Sequence, residues 1–399
     1  MIIKSLVFNI LPIIAPENKI TQTGPPCDFD EKFPSKSWLN MAIYRRSIIY
    51  SILAVPLGLI SERNFRRLPR LSLHKPAKCL PSLTIIIPAR NEMHNLHVLL
   101  PSLLDIEYPG EMEILVVDDN SSDQTFQVAK SYGVHVLQLD HEPPEGWLGK
   151  PYACHQGSLN ATGDWLLFTD ADTQHSPDGI PASISYAKEN RLDGLSLFLK
   201  HKSTGWLDRL AIDTAYASLF TNWHASKHLL NGQFILIQRD VYFESGGFES
   251  VCNESLEDVA FGNLLERSGY KLEILNGDQI ASVSMYRSNQ NMFQGLSRLG
   301  SGMLGWQNTW AILTAFHVTT LVSPIFVLVG VIMGRLKWIW LPLTWAASCL
   351  SLLPWSRRSG SGRAAILTPI GALVVLVSAF FGIINRILGR GIHWKDRQV

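Results

Sequence analysis

The sequence predicts an α/β protein in which a mixed, mostly parallel sheet flanked by helices is followed by C-terminal transmembrane helices. Three observations carry that expectation. Between Leu83 and Asp172, short β-branched runs closed by turn residues alternate with helix-like segments, the pattern of parallel strands joined by right-handed crossovers. Polar and acidic residues follow those runs and so gather along one edge of the sheet. Beyond Arg287 the composition shifts to long apolar segments with few charges.

In chain order, 399 residues with 46% hydrophobic composition and a net charge of +1 allow one sizeable domain plus a membrane portion. The near-neutral balance argues against a nucleic-acid partner. Residues 1–40 hold a weak apolar run broken by Asn9 and Pro12, then a polar stretch with Pro25, Pro26 and Pro34; this reads as a poorly ordered extension without a signal-peptide cleavage site. Met41 is an alternative start. It leads into an apolar run, 47–60, flanked by Arg45, Arg46, Arg63, Arg66, Arg67 and Arg70, so 41–70 is expected to be a membrane anchor or an interfacial helix. The five cysteines form no C-x-x-C pair, and neither His94 with His97 nor His224 with His228 has a third ligand nearby. Disulfides and zinc are therefore not expected.

The main domain is expected over 80–286. Its first run, Ser82 to Ala89, ends at Arg90-Asn91-Glu92; the second, from Ile114, ends at Asp118-Asp119; the third, from Trp165, ends at Asp170-Ala-Asp172. Helices are predicted over 91–105, 122–132, 151–161 and 178–190, with further strands over 194–198 and 231–237 and a long helix over 206–227. Open α/β sheets bind ligands at the carboxyl ends of their strands. No glycine loop of the phosphate-cradling kinds is present, so a hard cation on Asp170 and Asp172 is the natural way to hold a diphosphate. Each motif also has a plain structural reading. Asp-x-Asp can be a turn, Asp118-Asp119 can be a strand-to-helix cap, Ser121 or Ser122 can cap the next helix with Asp123 in its first turn, Glu257-Asp258 can stabilise a helix start, and Lys150 can be a surface lysine.

Taken together, Ile87-Pro88-Ala-Arg90-Asn91-Glu92, Val117-Asp118-Asp119-Asn-Ser-Ser-Asp123, the stretch 150–157, Asp170-Ala-Asp172 and Glu257-Asp258 resemble, in order and spacing, the family 2 glycosyltransferases of the GT-A fold. The resemblance covers about 83–275. It implies that Pro88, Glu92 and Asp119 hold the nucleoside, with Arg90, Lys150 and Asp170 completing the donor pocket. It also implies that Asp170 and Asp172 serve a Mn²⁺ or Mg²⁺ ion on the diphosphate and that Asp258 is the catalytic base. The reaction implied is a single inverting displacement transferring a hexosyl group. Competing readings are nucleotidyl or phosphosugar transfer, which would need a basic glycine-rich loop after the first strand, and a non-catalytic membrane scaffold retaining the fold.

After this domain, Met292, Phe293, Leu296, Leu299, Met303 and Trp306 recur at helical intervals, which predicts an interfacial helix over 287–310. Gln294 and Arg298 only partly match the Gln-x-x-Arg-Trp motif of processive family members, so polymer synthesis is not expected. Membrane helices and a basic tail are expected over 311–399: 311–333 and 364–385 are long enough to cross, and 338–355 is marginal. Arg357, Arg358 and Arg363 pull one loop to the cytoplasmic side, and Arg386, Arg390, Lys395 and Arg397 pull the tail to the same side. The last segment cannot cross once and satisfy both, which points to a re-entrant element. The sheet is expected to close without these helices.

Glu145-Gly-Trp147-Leu-Gly149-Lys150 and Gly391-Ile-His-Trp394-Lys395-Asp-Arg397 resemble a narrower group, the membrane glycosyltransferases of hopanoids and carotenoids, and within it the cyanobacterial-type carotenoid 2'-O-glycosyltransferases. That resemblance implies a nucleotide-sugar donor and a lipid-soluble hydroxylated acceptor, either a carotenoid with a myxol-type 2'-hydroxyl or a hopanoid, polyprenyl or glycerolipid alternative. It implies a multi-pass protein of the cell membrane, thylakoid membrane included, whose catalytic domain faces the cytoplasm.

Overall fold

A computed structural model describes residues 36–71, 79–221, 230–254, 256–303 and 309–389, with the short pairs 393–394 and 397–398. Cys27, His224, His228, the end of the helix expected over 206–227, and most of the closing Gly391–Arg397 motif lie outside the described residues. The chain divides into two compact units, Met1–Ile43 and Tyr44–Val399. The second holds the sheet and all the side-chain contacts given below.

Strand β1 (Leu83–Ala89) is buried on both faces and pairs in parallel with β2 (Met112–Asp119) and β4 (Trp165–Thr169); β2 pairs in parallel with β3 (His135–Leu139). Helix α2 (Met93–Leu104) follows β1 and buries Leu96, Leu99, Leu100 and Leu103, one stripe of a helix packed on a sheet. Helices α3 (Thr125–Ser131) and α4 (Gly149–Asn160) follow β2 and β3. On α4, a Cβ at Gly157 would stand 2.5 Å from Ile86, so this helix lies directly on the sheet. Past β4 the sheet turns mixed. Strand β7 (Phe234–Gln238) runs antiparallel between β4 and β6 (Gly194–His201), while β8 (Leu272–Val283) is parallel to β6 and carries β5 (Thr173–His175) on the edge. The order is β3-β2-β1-β4-β7-β6-β8-β5. One face is covered by α2, α3 and α5 (Gly179–Glu189), the other by α4, α7 (Arg239–Glu244) and α8 (Glu257–Arg267). The mixed, mostly parallel sheet is thus as expected.

Below the domain lie α1 (Lys36–Arg66), α6 (Trp206–Phe220), α9 (Asn289–Met303), α10 (Thr309–Ile332), α11 (Trp340–Arg358) and α12 (Thr368–Ile387), the last entered through a tight turn over Gly362–Leu367. Among the described residues, three segments are long and apolar enough to cross a membrane: Tyr44–Arg66, Ala311–Ile332 and Gly362–Ile387. The marginal segment, α11, is not among them.

The eight strands pair with one another, all before residue 284, but the C-terminal helices share the domain's packing: Phe198 of β6 and Phe220 of α6 lie in one buried cluster with Leu352 and Trp355 of α11 and Phe65 of α1. The Phe65 ring lies 5.1 Å from both Phe220 and Trp355, and the Arg358 guanidinium sits 3.6 Å over it. Apolar periodicity marks such helices as buried without distinguishing lipid from protein as the cover.

Candidate active site

The loops after β1 and β2 are built as a pair. Asn91 and Asn120 both take left-handed backbone, φ 54° and 53°, a conformation Asn tolerates better than most residues. The Asn91 side-chain oxygen accepts the Ser122 amide at 2.8 Å. Arg90 donates to the Asp119 and Asn120 carbonyls at 2.8 and 3.2 Å, so it ties the two loops together. Glu92 is buried and accepts from Asn95, while the Asp123 carboxylate accepts the Thr125 amide at 2.9 Å at the start of α3. Asp123 thus stands just before α3 rather than in its first turn, and the N-cap position is Gln124. Asp118 accepts the Ser121 amide at 3.3 Å, and burial raises its pKa.

At the carboxyl ends of β1 and β4, Pro88, Lys150, Asp170, Glu257 and Asp258 line one narrow cavity with Cys154, Thr169, Gly232 and Phe248. Helix α4 delivers Lys150 from its first turn, and α8 opens with the two acids. The Lys150 ammonium lies 2.7 Å from Asp170 and 3.2 Å from Glu257. On the far side, Arg298 of α9 stands 3.8 Å from the other Glu257 oxygen. Asp258 is oriented by the backbone: its oxygens accept the Gly232 amide at 2.8 Å and the Val259 amide at 2.9 Å. A side chain at position 232 would put its Cβ 3.0 Å from the Lys150 nitrogen and 3.1 Å from an Asp258 oxygen, so any residue larger than glycine would require one of them to shift. Gly246 and Gly247 turn with φ 82° and 51°, ending α7 and setting Phe248 against the cavity.

The two adjacent acids titrate in opposite directions. Burial, reinforced by the Glu257 charge, pushes Asp258 up to about 6 against the pull of Lys150. Burial works against the Glu257 charge as well, but Lys150 and Arg298 outweigh it and hold Glu257 below the usual carboxylate range. Lys150 meets the same opposition from burial, and Asp170 and Glu257 keep it protonated beyond the usual lysine range. Neighbouring carboxylates pushed apart in this way supply one fixed charge and one proton acceptor.

The structure brings Pro88, Lys150, Asp170 and Asp258 together as expected. Arg90, Glu92 and Asp119 stand in the paired loops beside that cavity rather than in its lining. Asp172 borders a separate depression with Asn95, Val98, Gln174, Lys202 and Ser284. Among the described residues no three His, Cys, Asp or Glu side chains converge as a metal cage. Asp170 and Asp172 still supply hard oxygen donors of the kind Mg²⁺ or Mn²⁺ takes when diphosphate and water complete the shell, so the donor set fits such an ion. Two further residues emerge here. Glu257 was legible only as half of an acidic pair, and Arg298 only as part of an incomplete match to the Gln-x-x-Arg-Trp motif.

Residues 84–257 match the family model described as Glycosyl transferase family 2. The chain is 28% identical over 225 residues to 4,4'-diaponeurosporenoate glycosyltransferase of Staphylococcus aureus (strain bovine RF122 / ET3-1), and equally to that of strain USA300. Each match covers 54% of this chain and spans 58% of the relative's length. Among solved structures, the mannosyltransferase PcManGT from Pyrobaculum calidifontis, determined with GDP-Man and Mn²⁺, superposes with a TM-score of 0.55 at 15% identity. That superposition covers 85% of this chain and 99% of PcManGT, and it shows a shared fold. The segment 84–257 is thus similar to the family 2 glycosyltransferases, on a fold shared with PcManGT.

Proposed function

We propose that this protein is an inverting glycosyltransferase that moves a sugar from a nucleoside-diphosphate donor to a hydroxyl of a membrane-dissolved isoprenoid of the carotenoid class. The observation that carries the reading is the Lys150, Asp170, Glu257 and Asp258 constellation at the carboxyl ends of β1 and β4, in which burial raises the Asp258 pKa to about 6. The named activity of the Staphylococcus relatives supports the acceptor class, and the GDP-Man of PcManGT supports the donor class.

In this reading the acceptor oxygen attacks the anomeric carbon as its bond to the diphosphate breaks, and Asp258 takes the hydroxyl proton. The Gly232 and Val259 amides hold the carboxylate in place while its remaining lone pairs stay available. Lys150 presents fixed positive charge to the diphosphate, and Glu257 keeps Lys150 charged and in position. Asp170 and Asp172 would hold Mn²⁺ or Mg²⁺, which when bound neutralises charge developing on the leaving group. The catalytic body lies against apolar helices, so a cytoplasmic sugar nucleotide and a lipid-dissolved acceptor would meet at its membrane face.

Asp258→Asn tests the assignment, because it keeps size and removes basicity. Turnover should fall by roughly 10² to 10⁴ with donor affinity and melting temperature nearly unchanged, the mark of an interaction used only in the transition state. Near-normal turnover with a lowered melting temperature would reduce Asp258 to a helix-start residue. The relatives' printed name suggests a second reading, since its ending denotes a carboxylate acceptor. A carboxylate needs no base to attack, so the variant would keep its rate on such an acceptor and lose it only on hydroxyls.

A further inference from the structure

We infer that α12 does not cross the bilayer but lies in its plane, as a floor between the catalytic body and the lipid, with the chain before and after it on the catalytic side. Its first turn is tied to α6, since a Cβ at Gly371 would stand 2.7 Å from the Leu210 Cβ, and the chain before it is tied there too, where Ser359 at the end of α11 donates to Asp213 at 2.8 Å. Its exit is tied to α9. Arg386 donates to the Ser301 carbonyl at 2.6 Å, a Cβ at Gly382 would overlap the Ser297 carbonyl oxygen, and the Phe381 and Phe293 rings are 5.7 Å apart.

Both of those helices belong to the catalytic body. Asp208 of α6 pairs with His201 at the end of β6, 3.2 Å away, and Arg298 of α9 reaches Glu257. At 20 residues, α12 is about 30 Å long, roughly the hydrocarbon thickness. A crossing helix of that length would leave the body at one end, whereas this one touches it near both.

The outward face identifies the partner. Leu373, Val377 and Phe380 recur at helical spacing and stay 37 to 49% exposed, and no charged residue occurs between Thr368 and Asn385. Such a stripe suits lipid hydrocarbon, into which the neighbouring segments Tyr44–Arg66 and Ala311–Ile332 are apolar enough to insert. Basic residues stand before α12 at Arg357 and Arg363 and in its last turn at Arg386. Placing both ends on one face removes the conflict that a single crossing creates.

The test uses the full-length protein in sealed vesicles of both orientations. A short epitope is placed after Gly360, after Val399, or, as a reference for the catalytic body, after the exposed turn at Gly133. All three should be open to antibody in the same vesicle population. Access to the Gly360 and Val399 epitopes from opposite faces overturns the inference. Should an insertion prevent folding, spin labels on Leu373→Cys, Val377→Cys and Phe380→Cys decide the matter by collision with oxygen and a water-soluble nickel chelate: uniform depth is expected, and a steady gradient along the helix contradicts it. Neither readout involves sugar transfer, so failure of the glycosyltransferase reading would leave this result standing.

Discussion

Glu257 and Asp258 are neighbours in sequence, yet burial and the Lys150 charge divide them into a fixed anion and a near-neutral acceptor. A base must be deprotonated to work, so with Asp258 titrating at about 6 the rate should fall about tenfold per pH unit below that value. Lys150 pulls the Asp258 pKa down; Lys150→Met should therefore move the acidic limb of the kcat/KM profile to higher pH. An unmoved limb would detach Lys150 from the base. For stability the sign is opposite. The folded-state pKa lies above the ordinary 3.8, so the tighter proton binding favours the fold at low pH, and that contribution fades as pH rises through about 6. Pro88, Lys150, Asp170 and Asp258 were legible from motif order alone. Arg298 was not, because its role depends on a helix packing that spacing does not encode.

Among the elements, the contact of α9 with α12 determines where Arg298 stands. Gly300 meets Ala379 at a would-be Cβ distance of 2.5 Å, and at Gly382 no side chain fits against Ser297. Gly382→Val should push α9 away and cost about 1 to 3 kcal/mol by overpacking. It should also lower turnover more than the stability loss explains, while Gly389→Ala, past the contact in open space, leaves turnover intact despite the strain of its left-handed backbone. Thermal melts and kinetics on both variants check this, and equal turnover would show that α9 is held by other contacts. The strands β1 and β2 were readable as β-branched runs and β4 as a short apolar one. Strand β8 was not: Asn276-Gly277-Asp278 carries turn residues in its middle, yet the strand continues because Gly277 lets the backbone pass Leu197, with a Cβ there only 2.9 Å from the Leu197 Cβ. The edge strands β3 and β5 are short and show little alternation.

On the scale of the whole molecule, catalytic sheet and apolar helices form one folded body through Phe65, Phe198, Phe220 and Trp355. The helices were legible as apolar segments; their docking on the sheet was not, since a sequence records that a face avoids water and not what covers it. On the proposed function, this union would hold the cavity at the membrane surface, within reach of both a nucleotide sugar and a lipid-dissolved hydroxyl. The most direct measurement is transfer itself. Purified full-length protein in vesicles containing a hydroxylated carotenoid is given Mn²⁺ and a panel of labelled nucleotide sugars, and the anomeric configuration of any glycoside is read by NMR. The account predicts a lipid-phase glycoside whose configuration is inverted relative to the donor. A retained configuration, or donors that bind without any transfer to carotenoid, hopanoid or polyprenyl acceptors, would contradict it.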